Sequence, residues 1–164
     1  MATVSETFYR DGNRVPITNA GIITKKSVTF AGATADAWGN DGGALDGGTL
    51  FTVTGLVMVQ LVGVCNVDCA GSNSTNEVGV DGTTNIFMPT TTMTDLVAPS
   101  MWFNNGSPGE YFVPGEAAAD NMPKYVLSGM DIIMTTKTAN TTAGQIDFYC
   151  IWTPLSTDAN LVAA

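Results

Sequence analysis

The chain has 164 residues, enough for one domain that buries about 68–70 % of the surface its unfolded form exposes. Only 13 % of the residues are charged, and 15 acidic against 6 basic side chains give a formal charge of −9. The basic residues are scattered, which argues against a phosphate-backbone footprint. The absence of any histidine removes the usual general base and the commonest metal ligand, so the sequence is read as non-enzymatic, without nucleic acid as a partner.

At the N-terminus, Met1 to Arg10 lacks a basic start followed by an apolar core, so no signal peptide is expected and synthesis in a cytoplasm is. Phe8-Tyr9-Arg10, the tight-turn pair Asp11-Gly12 and Val15-Pro16-Ile17 read as a hairpin or arm, with Pro16 suited to a sheet edge. The domain organisation expected is an arm over 1–20 and a single β domain over 21–164.

Gly21 to Phe30 follows as a candidate strand, with Ile23, Lys25 and Ser27 alternating against Ile22, Thr24 and Lys26. The long Gly-, Ala- and Asp-rich connection from Ala31 to Gly48 carries Trp38, which is either a lid over the core or an anchor for a partner. Asp36, Asp41 and Asp46 recur in it every five residues. Paired carboxylates can hydrolyse glycosides, and an Asp/Gly loop can recruit calcium, but Asp beside Gly is also what ordinary turns use.

Thr49 to Asp68 is the segment around which the rest is organised. It begins in period two, with Leu50, Thr52 and Thr54 on one face and Phe51 and Val53 on the other, and turns almost wholly apolar from Leu56 to Val64. At about 3.3 Å per residue it is too long for an ordinary strand, so Gly55 is expected to mark a bend or bulge, with one strand serving two faces. No run reaches the roughly 18 apolar residues of a membrane span, because Gln60 and Gly63 interrupt the best candidate.

Cys69 to Thr75 reads as a loop, and Glu77 to Val80, the turn Asp81-Gly82 and Ile86 to Met88 read as a hairpin. Thr90 to Thr94 is an edge strand or a connector. Met101-Trp102-Phe103 and Tyr111-Phe112-Val113 are short aromatic strands around a turn at Asn104-Asn105-Gly106, and Glu116 to Asp120 is the one piece suited to a helical turn. Tyr125 to Leu127 and Ile132 to Met134 flank a bulge or bend at Ser128-Gly129. Gln145 to Trp152 alternates cleanly, with Ile146, Phe148, Cys150 and Trp152 on the core side, Pro154 stops it, and Asp158 to Ala164 is a tail.

About eight strands, long loops and almost no helix point to an all-β fold, an antiparallel β-sandwich of jelly-roll type. An immunoglobulin-type sandwich competes, with Cys65 and Cys150 around Trp102 fitting its disulfide pattern only loosely. Cys65, Cys69 and Cys150 fall one ligand short of a structural zinc site, so no metal and no cofactor is expected.

Three segments carry a resemblance: Phe8-Tyr9-Arg10-Asp11-Gly12-Asn13-Arg14-Val15-Pro16-Ile17, the Trp38-Gly39-Asn40-Asp41-Gly42-Gly43 loop, and Ile146-Asp147-Phe148-Tyr149-Cys150-Ile151-Trp152. In these the chain resembles small head proteins of tailed bacteriophages, in particular capsid decoration or cement proteins. The resemblance implies a homotrimeric jelly-roll protein of the virion exterior, with the major capsid protein of a phage head as partner. Phe8, Tyr9, Arg10, Arg14 and Trp38 are the expected partner contacts, the arm being the one end where Arg10 and Arg14 stand together. The alternative is a head-fibre or tail module that binds host glycans through Trp38, Trp102 or Tyr111.

Overall fold

The computed structural model describes residues 21–104 and 122–164. The arm over 1–20, the aromatic strand at Tyr111 to Val113 and the helical turn at Glu116 to Asp120 therefore lie outside the described residues, as does most of the Asn104–Gly106 turn.

Among the described residues ten strands form two antiparallel five-stranded sheets. They are β1 (Ile22–Thr29), β2 (Gly48–Thr54), β3 (Leu56–Ala70), β4 (Thr75–Val80), β5 (Thr83–Thr92), β6 (Met101–Trp102), β7 (Tyr125–Ser128), β8 (Ile132–Lys137), β9 (Ala143–Pro154) and β10 (Asn160–Ala163). Sheet I runs β1-β9-β3-β6, with β7 also pairing β3, and sheet II runs β10-β2-β8-β4-β5. A single 3-10 turn, Met93–Asp95, is the only helical element among the described residues. The chain is an all-β sandwich.

The organising segment is divided at Gly55, where a φ of +65° places the backbone in the left-handed region that only glycine enters without a Cβ penalty. It is two strands in two sheets rather than one bent strand: β2 belongs to sheet II and β3 to sheet I. Gly129, with φ +62°, separates β7 from β8 in the same way, so the expected bulge or bend there is a passage between sheets. The two passages meet, since the Gly129 amide donates to the Gly55 carbonyl at 2.9 Å.

Between the sheets lies one apolar core. Val57, Val59, Leu61, Ile146, Phe148 and Cys150 come from sheet I, and Leu50, Phe51, Val78, Met88, Ile132 and Met134 come from sheet II. Leu50 and Phe51, expected on opposite faces, are both fully buried, because the β2–β8 register shifts between Thr49 and Phe51 and a bulge turns successive side chains to one side. Trp102 reaches across the core, its indole Nε1 donating to Thr91 Oγ1 of β5 at 2.9 Å. Phe87 of β5 and Tyr125 of β7 meet edge to face at 5.1 Å.

Two sequence expectations change at the strand ends. Cys69 is not in a loop but in β3, which continues to Ala70, and its side chain is buried; two register shifts against β9, at Cys65/Val67 and Val67/Ala70, break the alternation that would have revealed it. The C-terminal tail holds a strand, since β10 pairs with β2. All three cysteines are free, so the disulfide that an immunoglobulin-type sandwich would want is not formed.

Candidate interaction surface

Among the described residues no group of three or more His, Cys, Asp or Glu side chains is placed to hold a metal ion. In the Asp-rich loop, Asp46 uses both carboxylate oxygens on backbone amides: Thr136 N donates to Oδ1 at 2.9 Å and Gly42 N to Oδ2 at 3.0 Å. Asp41 joins the same region through its own amide, which donates to Asn140 Oδ1 at 2.9 Å. These bonds tie the 31–47 connection to the β8 and β8–β9 segments, which is turn chemistry. The Cys65 thiol donates to the carbonyls of Val67 and Leu96 at 3.2 and 3.3 Å. Burial pushes the Cys150 thiol up to about 12 and raises those of Cys65 and Cys69, so none is an activated nucleophile.

Among the described residues two carboxylates are buried, Glu77 and Asp147, and both are fully partnered. Glu77 accepts from Thr84 Oγ1, from Thr90 Oγ1 at 2.5 Å and from the Lys137 ammonium at 2.6 Å. Asp147 accepts from Ser27 Oγ at 2.5 Å and pairs with Lys25 at 2.7 Å. Burial is the largest single influence on each and works to raise its pKa. The lysine and the hydroxyl donors together outweigh it, so both carboxyls titrate below their ordinary values. A general acid needs the opposite shift, so these groups hold strands together rather than deliver protons.

Of the rings expected to meet a partner, Trp102 is fully buried and cannot stack on a sugar. Trp38 is half-buried against the core, with the Lys26 ammonium 6.0 Å from its ring centroid; it occupies the lid position while keeping part of its edge in solvent. Phe8, Tyr9, Arg10, Arg14 and Tyr111 lie outside the described residues.

The surface that stands out was not singled out by the sequence reading. A sandwich sheet ordinarily presents polar side chains outward, yet the outward face of sheet I carries a band of apolar side chains among its polar ones. Its cross-strand rows include Ile23–Ile151–Gln60, Lys25–Tyr149–Val62, Ser27–Asp147–Val64 and, reaching β7, Thr153–Met58–Val126. Ile23 and Val126 are 64 % and 59 % exposed, and Leu155, just beyond β9, is 48 % exposed. Sheet II differs: its outward positions include Thr52, Thr54, Thr135 and the Glu77–Lys137 pair. The near-continuous apolar run of Leu56 to Val64 was the available signal, because a strand that is apolar on both faces is one covered on both faces.

No protein-family model, curated protein or solved structure matches the chain.

Proposed function

We propose that this chain is a structural virion protein that binds the outside of a tailed-phage head as a decoration or cement protein, acting as a homotrimer of jelly-roll subunits. The observation that carries the reading is the apolar band on the outward face of sheet I, on a domain whose buried carboxylates, among the described residues, are both engaged in holding strands together. A cement protein needs a stiff scaffold and a surface that gains free energy by being covered. Full burial of a single Val, Leu or Ile side chain is worth about 1.5–3 kcal/mol, and a face carrying Ile23, Ile151, Val62, Met58 and Val126 has several to offer. The segment resemblance set out above supports the same assignment.

The test is cosedimentation of the purified chain with emptied heads of the phage that encodes it, followed by thermal challenge of the decorated heads. Saturable binding at a fixed ratio to capsid subunits, with a raised disruption temperature, is the expected result. Heads that sediment without the chain would overturn the reading. Sedimentation of the free chain tests the trimer, which should appear at three times its 17.1 kDa mass.

A further inference from the structure

We propose that Asp81-Gly82, the tip of the β4–β5 hairpin, is a site of spontaneous backbone modification, where the chain closes to a succinimide and reopens as isoaspartate. Three Asp-Gly pairs lie among the described residues: Asp41-Gly42, Asp46-Gly47 and Asp81-Gly82. Their local chemistry is the same, since glycine places no side chain beside the amide nitrogen that must attack the aspartate carboxyl. Their surroundings differ.

The first two pairs are held by hydrogen bonds. The Gly42 amide donates to Asp46 Oδ2 at 3.0 Å, and the amide of Asp41 donates to Asn140 Oδ1 at 2.9 Å. Asp46 takes the Gly42 bond on Oδ2 and accepts from Thr136 N on Oδ1 at 2.9 Å. Its carboxyl carbon cannot turn toward the Gly47 nitrogen without giving up both. At the hairpin tip, by contrast, Asp81 and Gly82 are both exposed. Among the described residues the Asp81 carboxylate has no hydrogen-bond or ion-pair partner, and no turn bond engages the Gly82 amide. A Cβ on Gly82 would meet nothing within 4 Å, so a ring can close there without pressing on a neighbour. The flanking Val80 and Thr83 are paired across the two strands, which keeps the reacting groups side by side, as an intramolecular step requires.

The reaction needs water and no other partner. The Gly82 nitrogen bonds to Asp81 Cγ, and the carboxyl hydroxyl leaves with the amide proton as water, giving a cyclic imide. Water then adds to one of the two imide carbonyls. Addition at the side-chain carbon restores aspartate, whereas addition at the main-chain carbon leaves the backbone running through Cβ. The mass is unchanged, but a methylene has entered the turn just before Thr84, whose hydroxyl donates to the buried Glu77.

The experiment incubates the full folded chain, without capsids, at mildly acidic pH. Isoaspartate is counted with an isoaspartyl methyltransferase and located by electron-transfer fragmentation of chymotryptic peptides, with Asp11-Gly12, outside the described residues, read as a separate peptide. Isoaspartate should accumulate about ten-fold faster at Asp81 than at Asp41 or Asp46, and in denaturant the three rates should converge. Asp81→Glu, which would require a larger ring, should abolish the signal at that position and leave the others unchanged. Asp46→Ala, which releases the Gly42 amide, should raise the rate at Asp41; if that variant does not fold, the comparison in denaturant decides. Equal rates at the three sites in the folded chain, no isoaspartate at Asp81, or a difference that persists in denaturant would each overturn the proposal. Capsid binding enters none of these measurements, so the two proposals fail separately.

Discussion

The Lys137 ammonium lies 2.6 Å from Oε1 of Glu77, and the glutamate is only 1 % exposed while the lysine side chain is 46 % exposed. The pair spans β4 and β8, whose register sets Glu77 opposite Thr135. Thr84 and Thr90 of β5 supply the other donors. One carboxylate therefore stitches three adjacent strands of sheet II. A lost partner would leave a desolvated charge, which is costlier than the pair itself is stabilising.

Lys137→Met should destabilise the fold by about 1–2 kcal/mol. That is below the 3–5 kcal/mol of a fully buried pair, because solvent already screens the lysine and two threonines remain on Glu77. In a chain of this size the change corresponds to a fall of roughly 2–8 °C in the melting temperature. Glu77→Gln, which removes the charge together with the need to compensate it, should cost less in the same denaturation experiment. The reverse order would mean that the lysine is not what holds the carboxylate in place.

Stability should be lost on the acid side. The folded pKa values of Glu77 and Asp147 lie below their unfolded ones, so their stabilisation is complete above the unfolded values, about 4, and disappears as pH falls through the lower folded values. Melting temperature should change little from about pH 7 to 5 on account of these groups and decline below about pH 4. Glu77→Gln and Asp147→Asn should each flatten that decline, and an unaltered slope in both variants would contradict the assignment. Lys25 behaves oppositely: its pKa is raised chiefly by the bond to Asp147, so its contribution is present at neutral pH and lost only as alkaline pH passes that raised value.

Gly55 and Gly82 both have positive φ, +65° and +78°, but their surroundings differ. A Cβ on Gly55 would come within 2.7 Å of both Asp158 Oδ1 and Ser156 Oγ and 2.9 Å of the Ala159 nitrogen, whereas one on Gly82 meets nothing within 4 Å. Gly82→Ala should cost only the left-handed backbone penalty, about 1–2 kcal/mol. Gly55→Ala adds steric displacement and should cost about 2–4 kcal/mol. Urea denaturation of the two variants decides it, and equal losses would show that the corner relaxes freely.

The three thiols should resist labelling in the folded protein. Cys65, Cys69 and Cys150 are buried, and their raised pKa values keep the thiolate scarce near pH 8. A chromogenic disulfide reagent should detect under one equivalent over the first minutes in buffer and three in denaturant. Rapid labelling of even one cysteine without denaturant would mean that β3 or β9 opens readily.

Much of the fold was legible because the inward face of sheet I follows its periodicity faithfully. Ile146, Phe148, Cys150 and Trp152 are all core, and the Glu77–Met88 hairpin turns at Asp81-Gly82. Legibility failed where the pleat is interrupted. Bulges set Leu50 and Phe51 on one side and draw Cys69 inward, and no local signal announces a bulge built from ordinary residues. β10, made of Asn160, Leu161, Val162 and Ala163, is too short and too small-chained to be read without its partner β2. The outward face was only hinted at, by the apolar run of Leu56 to Val64. Val62, Ile151 and Val126 come from three separated segments, and only the register of β3, β7 and β9 assembles them.

The centre of sheet I is the pairing of β3 with β9, from Val57 opposite Pro154 to Ala70 opposite Ala143. These two longest strands are separated by the whole of β4 to β8, and β1 and β10 also wait for distant partners. Among the described strands only the β4–β5 hairpin closes locally. Loop closure must be met before such pairings reward it, so folding should fall in the millisecond-to-second range of non-local β proteins rather than in microseconds. During synthesis, β3 can meet only the short strands β6 and β7 until residues 143–154, its main partner, have left the ribosome. That interval is when the chain is most exposed to aggregation and most in need of a chaperone.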